Sequence, residues 1–274
     1  MMDRIVLLTN PGIEGRALSH RLIGAGLNVV MIVSEEVTGL PDYSWPSRFA
    51  RRALGDRSVD RLASAQLSGR ARNTLGWERE KSREATEFLQ RSLDQAGIPE
   101  EWPKDIEHFR TGSVNDAVTV QRVRQARPDL LVVFGTGLLR RPILQLPAKG
   151  ALNAHSSLLP HYKGPRSEFW QCYHNDPRYV GITVHLVNEG VDSGAVLFQV
   201  ATGADLPMDP YRMRALNTLA VIDNYAQVVA DHLQGKIDPR PQGPTETRTY
   251  RFKDVTMDLR IALKERLEQR DRHD

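Results

Sequence analysis

Residues 5–33 read IVLLTNPGIEGRALSHRLIGAGLNVVMIV. Ile5–Thr9 is a continuous apolar run and Asn10-Pro11-Gly12 is a turn. Ile13–Ala25 then repeats apolar residues at Ile13, Ala17, Leu18 and Leu22 before Gly24 and Gly26 stop it, which is helical spacing. Asn28–Val33 is apolar on successive residues, the pattern of a strand covered on both faces. Strand, helix and strand in that order predict a βαβ unit with parallel strands, the opening of an α/β sheet.

The same grammar returns downstream. Ser113 is expected to cap a helix from Val114 to about Arg127, Pro128 ends it, and Leu130–Phe134 is another buried strand running into Gly135-Thr136-Gly137. Between them, residues 40–110 are longer than a simple crossover and poor in β-branched residues, so a helical insertion is predicted. Within it Ser82 is expected to cap a helix through Ala96, with Phe88, Leu89 and Leu93 on its inner face and Gly97 at its end. Beyond residue 150, Ile182–Val187 and Ala195–Val200 read as a hairpin-like antiparallel pair around the loop Asn188–Gly194. Asp209-Pro210 opens a long helix to Gly235, residues 236–247 read as a linker, and Val255–Gln269 as a charged terminal helix. The predicted architecture is an open, mostly parallel twisted sheet flanked by helices over residues 1–235, followed by a short helical extension over 236–274.

Composition narrows the classes. Thirty-seven Lys and Arg against 34 Asp and Glu give a net charge of +3 over 274 residues, too little for a nucleic-acid partner held by charge alone. Arg48 to Arg91 carries 11 basic and 6 acidic residues, the pattern of a solvated helix face or of a patch for an anionic substrate or partner. The single Cys172 excludes an intramolecular disulfide and a multi-cysteine metal site, and it reads as a buried thiol. No uncharged stretch exceeds 13 residues (Leu22 to Ser34), whereas a membrane span needs about 20. A cytoplasmic protein without a membrane partner is expected.

The chemistry concentrates in Leu152–Gly164, LNAHSSLLPHYKG. If Leu152–Ser156 is extended, Asn153 and His155 point to one side, where they either bond each other or face a ligand. Some forty residues on, Gly181-Ile-Thr-Val-His185 leads to Glu189-Gly-Val-Asp192-Ser-Gly194, where Gly190 and Gly194 permit sharp turns that can bring Asp192 inward. The alternative for Asp192 is an ordinary surface turn. Should Asn, His and Asp converge, they supply a donor for a carbonyl oxygen, an acid or base, and a carboxylate that sets its state.

These two blocks, Asn153-Ala-His155-Ser-Ser157-Leu-Leu-Pro160 with Gly164 and Gly181-Ile-Thr183-Val-His185 with Val191-Asp192-Ser-Gly194, resemble the folate-dependent formyltransferases. The resemblance covers about residues 110–235 and implies a Rossmann-like fold, 10-formyltetrahydrofolate as co-substrate, transfer of a formyl group to a primary amine, and no metal. It implies Asn153, His155 and Asp192 as the catalytic trio, with Asn153 and a protonated His155 stabilising the oxyanion and Asp192 holding that charge. It places the folate against the turn Gly135–Arg140 and the loop Val187–Gly194, implying Gly135, Thr136, Gly137, Leu138, Leu139, Val191 and Gly194 as its contacts. Gly12, Ser157, Lys163 and Gly164 are implied on the acceptor side. His185 is read as a strand residue with a structural bond.

Two departures narrow the acceptor. Glu14 follows Gly12 in the first loop, where the purine-pathway enzyme holds a phosphate, and it would repel one, although Gly12 and Gly15 before a helix N-terminus can still bind an anion. The residues after Gly235 are too few for the separate domain of the tRNA enzyme, so an amine on a small metabolite is expected, a nucleotide-linked amino sugar first. Two alternatives stand beside this. One is a hydrolase releasing formate from the same donor; the other is a nucleotide-binding Rossmann-like module without chemistry. The terminal helix fits either protomer pairing in a homodimer or a solvated surface.

Overall fold

The computed structural model describes residues 2–36, 68–203 and 209–270. Part of the predicted insertion and of its basic run, residues 37–67, lies outside the described residues. Seven strands form one sheet in the order β3-β2-β1-β4-β5-β6-β7. They are β1 (Ile5–Thr9), β2 (Val29–Glu35), β3 (Glu107–Thr111), β4 (Leu130–Phe134), β5 (Ala151–His155), β6 (Gly181–Leu186) and β7 (Val196–Ala201). β1 to β5 run parallel, and β6 and β7 return antiparallel as the expected hairpin.

Every residue of β1 and of β4 is buried, because helices cover both sheet faces. On one face, Ile5, Leu7, Val132, Leu152 and Val184 pack against α1 (Ile13–Gly24) and a long helix, α6 (Pro210–Leu233). On the other, Val6, Leu8, Val33 and Val133 meet α3 (Ala117–Ala126) and the short α4 (Arg141–Leu144). The helix α2 (Gly69–Gln95) lies outside α1 and α6, with Leu89 and Leu93 against Ala17, Ala215 and Ile222. An aromatic cluster around Tyr162, Trp170 and Tyr250 joins α5 (Ser167–His174) to α7 (Met257–Arg270), and Cys172 is buried within it as expected. Among the described residues no helix is long and apolar enough to cross a membrane.

Three local expectations are corrected. The cap of α2 is Ser68, whose hydroxyl accepts from Ala71 N–H at 3.2 Å, and Ser82 lies inside the helix. Helix formers such as Arg70, Ala71, Arg72, Leu75 and Glu78–Lys81 extend it more than three turns before Ser82, across Gly76. α3 starts at Ala117 and not at Val114: Ser113–Asp116 closes a turn of its own, Asp116 N–H to the Ser113 carbonyl at 3.2 Å, and the extended Asp116 then takes the N-cap position. The last residues of the predicted insertion form β3, a half-exposed edge strand whose polar alternation gives no buried-strand signal and which is ordered by pairing with β2.

Consecutive parallel strands step outward from β1 to β3, and the chain then crosses back over β1 to β4. The strand order reverses between β1 and β4, so the loops Asn10–Gly12 and Gly135–Arg140 flank the crevice in which open α/β sheets bind ligands.

Candidate active site

Strand alternation on β5 sends Leu152 and Ala154 into the layer of α1 and α6, which leaves Asn153 and His155 together on the other face. Antiparallel pairing then sets His185 of β6 directly opposite Asn153, and Thr183 opposite His155. The β6–β7 loop brings in Asp192, held at φ 45°. His155 Nδ1 lies 3.4 Å from Asp192 Oδ2, and His185 Nε2 lies 3.5 Å from Oδ1. His185 Nε2 also stands 3.2 Å from the Asn153 amide nitrogen, so the three expected residues and His185 form one cluster.

Hydrogen-bond partners constrain the protons. His155 Nε2 faces the Tyr162 carbonyl at 3.0 Å, and Nδ1 faces a carboxylate. Both neighbours only accept, so the ring carrying a proton on each nitrogen satisfies both, whereas either neutral tautomer leaves a lone pair against an oxygen. His185 Nδ1 lies 2.8 Å from the Leu186 carbonyl, and its Nε2 stands against both the Asn153 amide nitrogen and Asp192 Oδ1. Asp192 Oδ2 accepts from Gly164 N–H at 2.8 Å. Burial pushes the Asp192 carboxyl up, but the charge of His155, the bond and charge of His185 and the Gly164 N–H outweigh it and hold the carboxyl well below the usual carboxylate range.

The segment expected as a linker crosses this site. Gln242 Nε2 donates to the backbone carbonyls of Asp192 at 2.8 Å and Gly194 at 2.7 Å. Tyr162 N–H donates to the Thr247 hydroxyl at 2.8 Å, and Tyr250 N–H donates to the Lys163 carbonyl at 2.9 Å. Gly164 has φ 93°, and a Cβ there would strike the Tyr250 carbonyl oxygen. Gly164→Ala is therefore expected to cost about 2–4 kcal/mol from backbone strain and overpacking together. A urea midpoint equal to that of the wild type would contradict it.

The other expected residues fall around the cluster. Ser157 is fully buried and donates to the His161 carbonyl at 2.6 Å, which braces the turn after β5. Lys163 is half-buried beside Gly164. Gly12 caps α1, and the Glu14 carboxylate lies 2.6 Å from where a Gly12 Cβ would be, so negative charge already sits over that helix N-terminus. Gly15 is buried against Thr9 and Asn10. β4 pairs Val133 with Asn153, so Gly135 leaves the sheet at the level of His155. Gly135, Gly137 and Leu138 are exposed, Thr136 is half-buried, and Leu139 packs on the core beside α4. Val191 is half-buried and Gly194 is buried against Leu186. His185 reads from the sequence as a strand residue with a structural bond, which it has to the Leu186 carbonyl, whereas Gln242 and Thr247 carried no signal for this place. For His185 the available signal was its alternation with Thr183, but the cross-strand register decides which residue it faces.

The family model described as Formyl transferase matches residues 80–214. A methionyl-tRNA formyltransferase from Synechocystis sp. is 30% identical over 221 residues, which are 77% of this chain and 59% of that protein. The chain thus spans less than two thirds of the curated relatives it matches. Among solved structures, a sugar N-formyltransferase from Shewanella sp. superposes with a TM-score of 0.58 at 14% identity, covering 96% of this chain and 86% of the other. Glycinamide ribonucleotide transformylase 1 from Symbiobacterium toebii gives 0.55 at 17% identity, over 87% and 94%. Both share the fold.

Proposed function

The chain belongs to the formyl transferase family, and on that premise we propose that it moves a formyl group from 10-formyltetrahydrofolate to a primary amine of a small metabolite, most readily a nucleotide-linked amino sugar. The observation that carries this reading is His155 set between two acceptors, the Tyr162 carbonyl and the Asp192 carboxylate, with Asn153 on the same strand face. As the amine attacks, negative charge develops on the formyl oxygen. The positively charged ring of His155 stands beside that oxygen and an N–H of the Asn153 amide donates to it, and one such donor is worth about 10²- to 10³-fold in rate. Asp192 balances the imidazolium and orders a water that relays the proton lost by the attacking amine to N10 as the formyl C–N10 bond breaks and tetrahydrofolate leaves.

The exposed backbone of Gly135-Thr136-Gly137 fits a flat heterocycle bound by main-chain groups, since no Cβ intervenes at either glycine. On the acceptor side, Lys163 and Arg166 stand on either side of Gly164 and supply positive charge for a phosphate-bearing amine. The Glu14 carboxylate at the start of α1 argues against a phosphate seated there. Transfer and catalysis by this chain alone, with residues 1–235 as the catalytic unit and the terminal extension as its brace, are part of the same proposal.

Calorimetry with the stable analogue 5-formyltetrahydrofolate should give saturable one-to-one binding. A screen of amino-sugar nucleotides with the natural donor should then yield a formamide product. A folded protein that binds no folate would overturn the reading, and formate release independent of any amine would turn it into the hydrolase.

A further inference from the structure

Glu35 is a carboxylate at the end of β2, only 5% exposed, that plays no part in the chemistry above. Oε1 accepts the Val114 N–H at 3.0 Å, and Oε2 accepts the Gly137 N–H at 2.5 Å. β2 and β4 are not neighbours, because β1 lies between them. Glu35 therefore reaches over the end of β1 to hold the loop that follows β4. The same loop is held further along by Asn115. Its amide donates to the Leu138 carbonyl at 2.9 Å, and its oxygen accepts the Arg140 N–H at 2.8 Å. Beneath the loop, the Thr9 hydroxyl donates to the Phe134 carbonyl at 2.9 Å, and Asn10 Nδ2 lies 2.5 Å from where a Gly135 Cβ would be.

A loop beginning Gly-Thr-Gly has much conformational freedom to lose when a ligand binds its backbone. We propose that Glu35 and Asn115 are positioning residues that fix the loop Gly135–Arg140 in its ligand-binding shape, and so set the affinity for the folate donor. The inference rests on the function proposed above, in which this loop carries the donor. The partners explain the residue types. Two N–H groups arriving from different loops need two acceptors on one rigid head, which a carboxylate has and a carboxamide lacks. A carbonyl and an N–H two residues apart need one donor and one acceptor, which asparagine has and aspartate lacks.

The test is calorimetry of 5-formyltetrahydrofolate against the wild type, Glu35→Gln and Asn115→Asp, each checked for near-ultraviolet circular dichroism. Each substitution sets a like group against a backbone partner at no cost in volume. Losing one hydrogen bond to a charged group corresponds to about a 10- to 100-fold weaker Kd for Glu35→Gln, and losing a neutral one to about a 3- to 10-fold weaker Kd for Asn115→Asp. In steady state the donor KM should rise in parallel, while the acceptor KM stays within about twofold of the wild type, since binding changes confined to one substrate leave the other's term alone. A purely structural role would lower Tm and leave the Kd of the folded fraction unchanged, and that result overturns the inference. Asn115 lies on the loop rim, so Asn115→Asp keeps the question decidable even if Glu35→Gln folds poorly. If the wild type itself binds no folate, the functional reading fails and not this one alone.

Discussion

Asp192→Asn is expected to lower formyl transfer by about 10³-fold while leaving the protein folded and able to bind the donor, in the range seen when a catalytic base or oxyanion donor is lost. Asparagine is the right replacement because it tolerates the left-handed backbone that Asp192 adopts at φ 45°. Its side-chain oxygen can still accept the Gly164 N–H. The change falls on His155. Facing a carboxylate and a carbonyl, the ring is satisfied with protons on both nitrogens. The oxygen that accepts the Gly164 N–H is the one facing Nδ1, so in the variant the ring faces a neutral amide oxygen, the NH₂ group falls beside His185, and the imidazolium is left without the negative charge that balanced it. The variant keeps the shape of the site and loses the positive charge aimed at the developing oxyanion. Nitrogen-15 NMR of the histidine rings would separate this from collapse of the loop. Activity within about tenfold of the wild type, with the fold unchanged, would refute the role given to Asp192.

The largest loss of stability is expected far from the site, in Glu78→Gln. Arg260 of α7 is 5% exposed and forms a two-pronged pair with Glu78 of α2, one arm being Nε to Oε1 at 2.8 Å and the other Nη2 to Oε2. Glutamine preserves the volume but leaves the buried guanidinium without that carboxylate, and breaking one side of a buried pair typically costs about 3–5 kcal/mol. The double variant Glu78→Leu with Arg260→Met should recover most of the loss, because apolar groups of similar volume carry no charge to desolvate. Urea unfolding of the two variants and the wild type decides it. A loss below about 1 kcal/mol for Glu78→Gln would mean that water or other partners already solvate Arg260. Since α7 and the segment before it brace Tyr162 to Gly164, the unfolding of this corner should also weaken catalysis before it unfolds the sheet.

What could be read in the chain alone was whatever is set by neighbours in sequence. Apolar runs and their punctuation located β1, α1, β4 and α6 to within a residue or two, since burial on both sheet faces and turn chemistry are local signals. Period-two alternation alone put Asn153 and His155 on one face. The motif spacing suggested that Asp192 would join them. Edge strand β3 escaped notice because a half-exposed strand has no apolar run, and the start of α2 was misplaced because a serine inside a helix looks like a cap in sequence.

Tertiary structure decided every contact whose partners are far apart in the chain. His185 meets Asn153 only because β6 pairs with β5 in one register, and a slip by one residue would turn its ring to the other face. Glu35 reaches Gly137 only because the strand order reverses between β1 and β4. Gln242 and Thr247 look like residues of a solvated linker until the chain folds back across Asp192 and Tyr162. Local propensity carries no information on these closures, because they depend on which strands pair, in which register, and on where the crossings lead.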